Sequence, residues 1–165
     1  MSDAPDVMDT LAGLAPDSAI AELRRQRPDV VRHLQGSDDV LFSPADDGGL
    51  TRAERTAAAL RIVELLRDGT LEAHYRARLA ALDPGDTLAR TVEGGARITD
   101  ARWDAILVHV DLATRGPGSA EQKDIDNLIA AGLSSHAVVS LSQLIAYVNF
   151  QSRVLAGLRM LRDAQ

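Results

Sequence analysis

The chain contains no cysteine. That excludes disulfides, thiolate metal ligands and any thiol redox chemistry carried by the chain itself. Aromatic residues are scarce, at 3% of 165 residues, and much of the apolar content is Ala, Leu and Val. Such a composition favours closely packed helices over a sheet built on aromatic and β-branched pairs. No uninterrupted apolar run reaches the ~18 residues that a membrane-spanning helix needs. The opening Met1-Ser-Asp-Ala-Pro-Asp6 lacks the basic and apolar regions of a secretory signal, so a cytoplasmic location is expected. There is also no HExxH, GxGxxG, P-loop or GxSxG pattern, which leaves nucleotide-binding and serine-hydrolase chemistry without a sequence basis.

Positive charge is in deficit, and the deficit is local. Residues 1–50 hold 10 acids against 4 bases, whereas residues 51–165 hold 14 of each, so the net charge of -6 lies in the first third. An acidic arm followed by a neutral body is the wrong surface for a phosphate backbone, and no nucleic-acid partner is expected. The one basic run, Arg24-Arg25-Gln26-Arg27, is flanked by Glu22 and Asp29 and is read as a solvated helix end.

Apolar periodicity divides the chain into an acidic helical arm, residues 1–42, and a helical domain, residues 43–165. Residues 1–16 alternate acids and prolines and are expected to be loosely ordered. Asp17 is a plausible cap for a short helix, and Pro28 suits the first turn of the next. Thr51-Arg52-Ala53-Glu54 is a capping box, followed by the stripe Ala59, Ile62, Val63 and Leu66, which predicts a helix to about Arg67.

Gly69 is expected to stop that helix and Thr70 to cap another, ended by Asp83-Pro84-Gly85. After Gly94-Gly95, Thr99 or Asp100 would cap a helix with Trp103, Ile106, Leu107, Val110 and Thr114 inward. Ser119 and Gln122 form a second candidate capping box before a helix that ends at Gly132. The last helix, about Ser135 to Arg162, would span roughly 42 Å. It carries two apolar stripes, one of Val138, Leu141, Ile145 and Val148 and another of Tyr147, Phe150, Val154, Leu158 and Leu161. So little polar perimeter demands cover on most sides, from a core or from another subunit.

Three stretches carry a resemblance. The tail "IAAGLSSHAVVSLSQLIAYVNFQSRVLAGL" is similar to the closing helix of the carboxymuconolactone decarboxylase and alkylhydroperoxidase D superfamily, in which an "AGLS" turn precedes "LIAYxNFxxR". Those letters fall here on Ala131 to Ser134, Leu144 to Tyr147, Asn149, Phe150 and Arg153. "LTRAER", Leu50 to Arg55, and "RWDAIL", Arg102 to Leu107, also resemble elements of that family.

The resemblance implies an all-α bundle assembling as a homo-oligomer, often a trimer or hexamer, through its longest helices. In members with peroxidase activity, a CxxC is followed four residues later by a histidine. Counting back from His74 puts those cysteine positions at Arg67 and Thr70. A thiol peroxidase needs one thiolate to attack the peroxide oxygen and a second thiol to resolve the sulfenic acid. Neither an arginine nor an un-ionised hydroxyl can substitute. The glutamate that the family places about a dozen residues earlier falls on Arg55, with Glu54 one step off.

His74 remains at the motif position. It is either a general base or ligand contact, or a helix histidine satisfied by Glu72 or water. Arg55, Glu64 and His109 are further candidate ligand contacts, and His109 would share the cleft of His74 if their helices touch. No metal site and no cofactor are expected. The expected function is a cysteine-free relative without peroxidase activity, an oligomeric scaffold or accessory subunit of a cysteine-bearing paralogue. The alternatives are a cofactor-free lyase or isomerase of the decarboxylase type with His74 as base, or a small-ligand-binding module.

Overall fold

Asp6 caps the first helix. Its carboxylate accepts the Met8 and Asp9 N–H groups at 2.8 and 2.9 Å and so opens helix α1, Val7–Ala12, which closes on left-handed Gly13. The computed structural model describes residues 6–82, 92 and 100–164. Among these residues the chain is all-α, with eight α-helices, one 3₁₀ turn and no strand. The expectation of loose order up to residue 16 is therefore corrected from residue 6 onward. Composition missed this helix because its support is tertiary: Arg24 pairs with both Asp6 and Asp9, and Met8 and Ala12 are buried.

Helix α2, Ala19–Arg25, is capped by Ser18 rather than Asp17. Helix α3, Pro28–Phe42, begins with Pro28 in its first turn as expected and runs on to bury Leu41 and Phe42. Apolar residues of this arm (Met8, Ile20, Phe42) lie in one continuous core with those of the body. Arg162, near the end of the chain, donates to the Ala12 carbonyl at 2.8 Å. The acidic arm is thus docked on the body.

The Thr51–Glu54 capping box is present, with bonds of 2.7 and 3.2 Å, and opens helix α4, Arg52–Leu66. Residues 55–60, Arg55 through Leu60, are all buried, so α4 is covered all round; its run of three alanines lets neighbouring helices approach closely. At its end the sequence reading needs correction. Arg67, not a glycine, takes the left-handed conformation at φ 57°, and Gly69 and Thr70 are the first residues of helix α5, Gly69–Leu82. Asp68 replaces Thr70 as the cap, its Oδ1 accepting the Leu71 N–H at 3.2 Å. A carboxylate caps more strongly than a threonine hydroxyl, and this one is held from outside: Ser152 Oγ donates to it at 3.2 Å and Arg159 at 3.2 and 3.3 Å.

Asp83-Pro84-Gly85, Gly94-Gly95 and Thr99 lie outside the described residues. Asp100 caps helix α6, Ala101–Arg115, by accepting the Arg102 and Trp103 N–H groups. A 3₁₀ turn at Pro117–Ser119 follows. Helix α7, Gln122–Ala130, starts later than the Ser119 box predicted; its real reciprocal cap is Glu121 with Asp124, whose carboxylate accepts the Glu121 N–H at 2.8 Å. Ser119 instead closes the tight turn, donating to the Gly116 carbonyl at 2.7 Å. Helix α8, Ser135–Asp163, is the longest and is capped by Ser134. No described helix is long and apolar enough to cross a membrane.

Arg102 ties three distant segments together. It donates to Glu54 at 2.9 Å, to the Gly132 carbonyl at 3.2 Å and to the Gly49 carbonyl. The stretches 50–55, 102–107 and 131–134 therefore meet at one guanidinium, whose planar fork can serve several acceptors at once.

Asp68 provides a direct test of how the helices are locked. Asp68→Ala removes a helix cap and leaves Arg159 without its counter-charge, so it should destabilise the fold by about 3 kcal/mol. Asp68→Asn keeps a capping oxygen and should cost about half of that. Urea unfolding of the two variants checks the order; equal losses would mean that the capping oxygen contributes nothing, and an Asp68→Asn protein as stable as wild type would mean the same of the ion pair.

Candidate functional site

The bend between α4 and α5 exposes both positions at which the family resemblance would place sulfur. Arg67 and Thr70 are solvent-exposed, and Arg67 fills no pocket. His74, one turn after Thr70 on the same side of α5, is half-buried. Its ring packs edge-on to Tyr75, with centroids 5.0 Å apart, and its Nε2 is buried without a hydrogen-bond partner. Glu72 does not satisfy it, being paired with Arg76 at 3.0 Å. Burial, then the Arg78 cation, holds the His74 pKa below its ordinary value against the opposing pull of Asp38. The imidazole is neutral at neutral pH.

What surrounds His74 comes from two other helices. Helix α3 lays Asp38 and Phe42 over it: Asp38 binds Arg78 at 3.0 Å, and the Arg78 guanidinium stacks 4.3 Å above the Phe42 ring. The Phe42 ring lies 5.2 Å from Tyr75 and 6.4 Å from Tyr147. From α8, Gln151 Oε1 accepts the Tyr75 hydroxyl at 2.6 Å. Burial pushes the phenols of Tyr75 and Tyr147 well above their ordinary pKa, and the neighbouring Asp38 carboxylate adds to it. Both are protonated and neither is a nucleophile. Asp38 Oδ1, Tyr147 OH and Gln151 Nε2 are, like His74 Nε2, buried without partners.

Of these neighbours, Tyr147 stands out from sequence as part of an apolar stripe. Asp38 and Phe42 fall within the acidic arm, and nothing in the sequence assigns Arg78 or Gln151 a role. Gln151 and Ser152, which bridge α8 to Tyr75 and Asp68, occupy letters that the "LIAYxNFxxR" pattern leaves open. No signal in a single sequence pairs residues 38 and 78.

The remaining candidates lie apart. Arg55 is buried and donates to the Leu50, Leu41 and Asp47 carbonyls at 2.8, 3.2 and 2.9 Å; it organises the loop before α4 and has few donors left for a ligand. Glu64 sits between Arg61 and Arg76 at 3.9 and 3.8 Å, with burial raising its pKa. His109, on α6, faces α7 and lines a cleft of about 370 Å³ with Asp104, Asp124 and Asn127. His74 is not part of that cleft. Among the described residues, no three His, Asp or Glu side chains converge closely enough to hold a metal ion.

The fold has a solved counterpart. The chain is similar to an uncharacterized peroxidase-related protein from Silicibacter sp. TM1040, with a TM-score of 0.72 over 92% of this chain and 78% of that one. At 16% identity the likeness is one of fold. No family model and no curated protein sequence matches the chain.

The two buried histidines make the fold acid-sensitive in a defined window. Burial lowers the pKa of both His74 and His109 from 6.5. The unfolded chain therefore takes up protons that the fold refuses. Their contribution is complete above pH 6.5 and is lost as pH falls below it toward the folded values. His74→Gln should flatten the decline in urea midpoint between about pH 7.5 and pH 5.5 relative to wild type, while a parallel decline would place the acid sensitivity elsewhere.

Proposed function

We propose that this chain is a cysteine-free relative of the carboxymuconolactone decarboxylase and alkylhydroperoxidase D superfamily that does not reduce peroxides and acts as a cytoplasmic oligomeric scaffold, or as an accessory subunit beside a cysteine-bearing paralogue. One observation carries the reading: both thiol positions lack sulfur, and the motif histidine beside them is covered by the arm. Arg67 and Thr70 are exposed at a helix junction, and His74 lies beneath α3, which is held there by the Asp38–Arg78 ion pair and by Phe42. The fold similarity to a peroxidase-related protein supports the lineage. The missing thiols argue against the activity.

Assembly is supported by the outer face of α8. Val139, Gln143, Ala146, Phe150, Arg153, Gly157 and Met160 follow one another at alternating steps of four and three, and all are exposed. That is a heptad seam, the pattern with which helices pack at a shallow angle on one another. Phe150 and Met160 leave 45% and 75% of their surface in solvent. Arg153 makes no ion pair among the described residues. Phe150 and Arg153 are also letters of the family-like tail, and neither serves the core of its own chain. The count expected from the resemblance is three or six.

A second reading keeps one observation of its own. The unpartnered His74 Nε2 and Gln151 Nε2 would suit a polar ligand if α3 moved aside, as a lyase using His74 as base or a binding module would require. It predicts saturable binding of a γ-carboxy lactone that His74→Ala abolishes.

Two measurements test the main reading. Consumption of hydrogen peroxide or cumene hydroperoxide with dithiothreitol should equal the buffer blank, and turnover above it would sink the proposal. Light scattering should give a mass near three or six chains; Phe150→Glu, which puts a charge in the seam, should weaken association by at least about 2 kcal/mol, roughly thirtyfold. A wild-type chain that remains monomeric at high concentration removes the scaffold.

A further inference from the structure

The cleft between α6 and α7 belongs to neither the His74 cluster nor the α8 seam. We propose that it is a binding site for a small organic cation, an ammonium group on a short apolar body, received by Asp104 and Asp124 beside the His109 ring.

The argument begins with His109. It is 7% exposed, it forms part of the cleft wall, and its Nδ1 is buried with no hydrogen-bond partner. A buried polar atom left without a partner costs about 1–3 kcal/mol. A helix position facing another helix is ordinarily filled by an apolar side chain, which carries no such cost. Burial keeps the ring neutral, so it does not repel a positive charge placed in the cleft.

The two carboxylates point to the same class of ligand. Elsewhere in this protein, half-buried or buried aspartates meet arginines: Asp38 with Arg78, Asp68 with Arg159, Asp111 with Arg61. Asp104 makes no ion pair or side-chain hydrogen bond among the described residues, and Asp124 accepts only the Glu121 N–H. No lysine or arginine lines the cleft. A concave surface with two unneutralised carboxylates and a neutral imidazole attracts a cation and disfavours an anion.

The size and shape of the site narrow the class further. His109, Asp104 and Asp124 do not draw together as ligands of a metal ion would, so the charge must sit on something larger than a bare ion. About 370 Å³ lies at the small end of ligand pockets. Between the polar groups the wall is alkyl, from Ala105, Val108 and Leu112, which suits a few methylene groups beside an ammonium.

The test uses the intact chain and n-butylammonium chloride, with sodium butyrate and n-butanol as isosteric controls at matched ionic strength. The readout is the His109 ring signals in nitrogen–proton correlation spectra. Saturable movement of His109, with His33 unmoved, is expected for the ammonium with a dissociation constant on the order of 1 mM, the range open to so small a probe. Asp104→Asn, whose carboxylate carries no hydrogen bond in the fold, should weaken binding by about tenfold or more. Val108→Trp, at an exposed position of the wall, should block the cleft and abolish the response; it stands in if Asp104→Asn melts early. Equal binding of butyrate or butanol, unchanged affinity in a folded Asp104→Asn or Val108→Trp protein, or no saturable shift by about 50 mM, well above the expected range, overturns the proposal.

Discussion

Asp68 holds the bundle to its longest helix. The break between α4 and α5 is only two residues long, Arg67 and Asp68, and the Asp68 carboxylate caps α5 while accepting Ser152 and Arg159 from α8. A carboxylate buried to this degree needs every lone pair engaged, and here the partners come from residues 84 and 91 positions away. Two turns further, Tyr75 repeats the link through Gln151. Two polar clamps thus set the height of α5 along α8. The buried apolar side chains of α5, Leu71 and Leu79, tolerate sliding far better than hydrogen bonds do. The clamps therefore fix which residues of α5 face the core.

That placement has a chemical consequence. With Leu71, Tyr75 and Leu79 turned inward, Thr70 is turned to solvent and His74 falls at the edge of the core, within reach of α3. Helix α3 completes the arrangement from the arm, because Asp38 is the counter-charge of Arg78 and Phe42 is the surface on which Arg78 lies. Opening the site to a substrate would separate a half-buried ion pair and expose Phe42. Neutral His74, two protonated tyrosines and a paired aspartate then offer a single weak base and no nucleophile. The geometry agrees with the absence of sulfur.

The fold was legible in the sequence where its causes are local. The Thr51–Glu54 box and the Asp100 cap depend on residues two or three apart, and the buried stripe of α8, Val138, Leu141, Ile145 and Val148, follows from period alone, whereas Phe150 and Leu161 of the second stripe are exposed. The readings failed where a distant partner decides. Gly69 looked like the stop because glycine tolerates the left-handed region best, yet Arg67 takes it, since Asp68 must sit where Arg159 can reach it. Helix α1 was missed because Arg24 and the core on which it lies are invisible in its own six residues. The family-like letters had a structural reason to be visible: those at 50–55, 102–107 and 131–134 surround the Arg102 guanidinium. They report a shared scaffold. The residues around His74 lie outside those letters, so the candidate site could be located but not described.

Helix α8 shows how one element can serve both the core and an exterior. Its inner side faces α4 and the arm, where Gln151 and Arg159 carry polar links to α5 although one nitrogen of each remains buried without a partner. Its outer seam mixes apolar Val139, Ala146, Phe150 and Met160 with Gln143 and Arg153, all exposed. Burying a side chain the size of Phe150 gains about 2 kcal/mol, and a two-fold or three-fold repeat of the seam gains that at every copy while costing each chain little side-chain entropy on a rigid helix. On the reading proposed above, that surface is where free energy is still to be gained by association. Chemistry at His74 would require the arm to leave, whereas association through α8 would leave the fold as it stands.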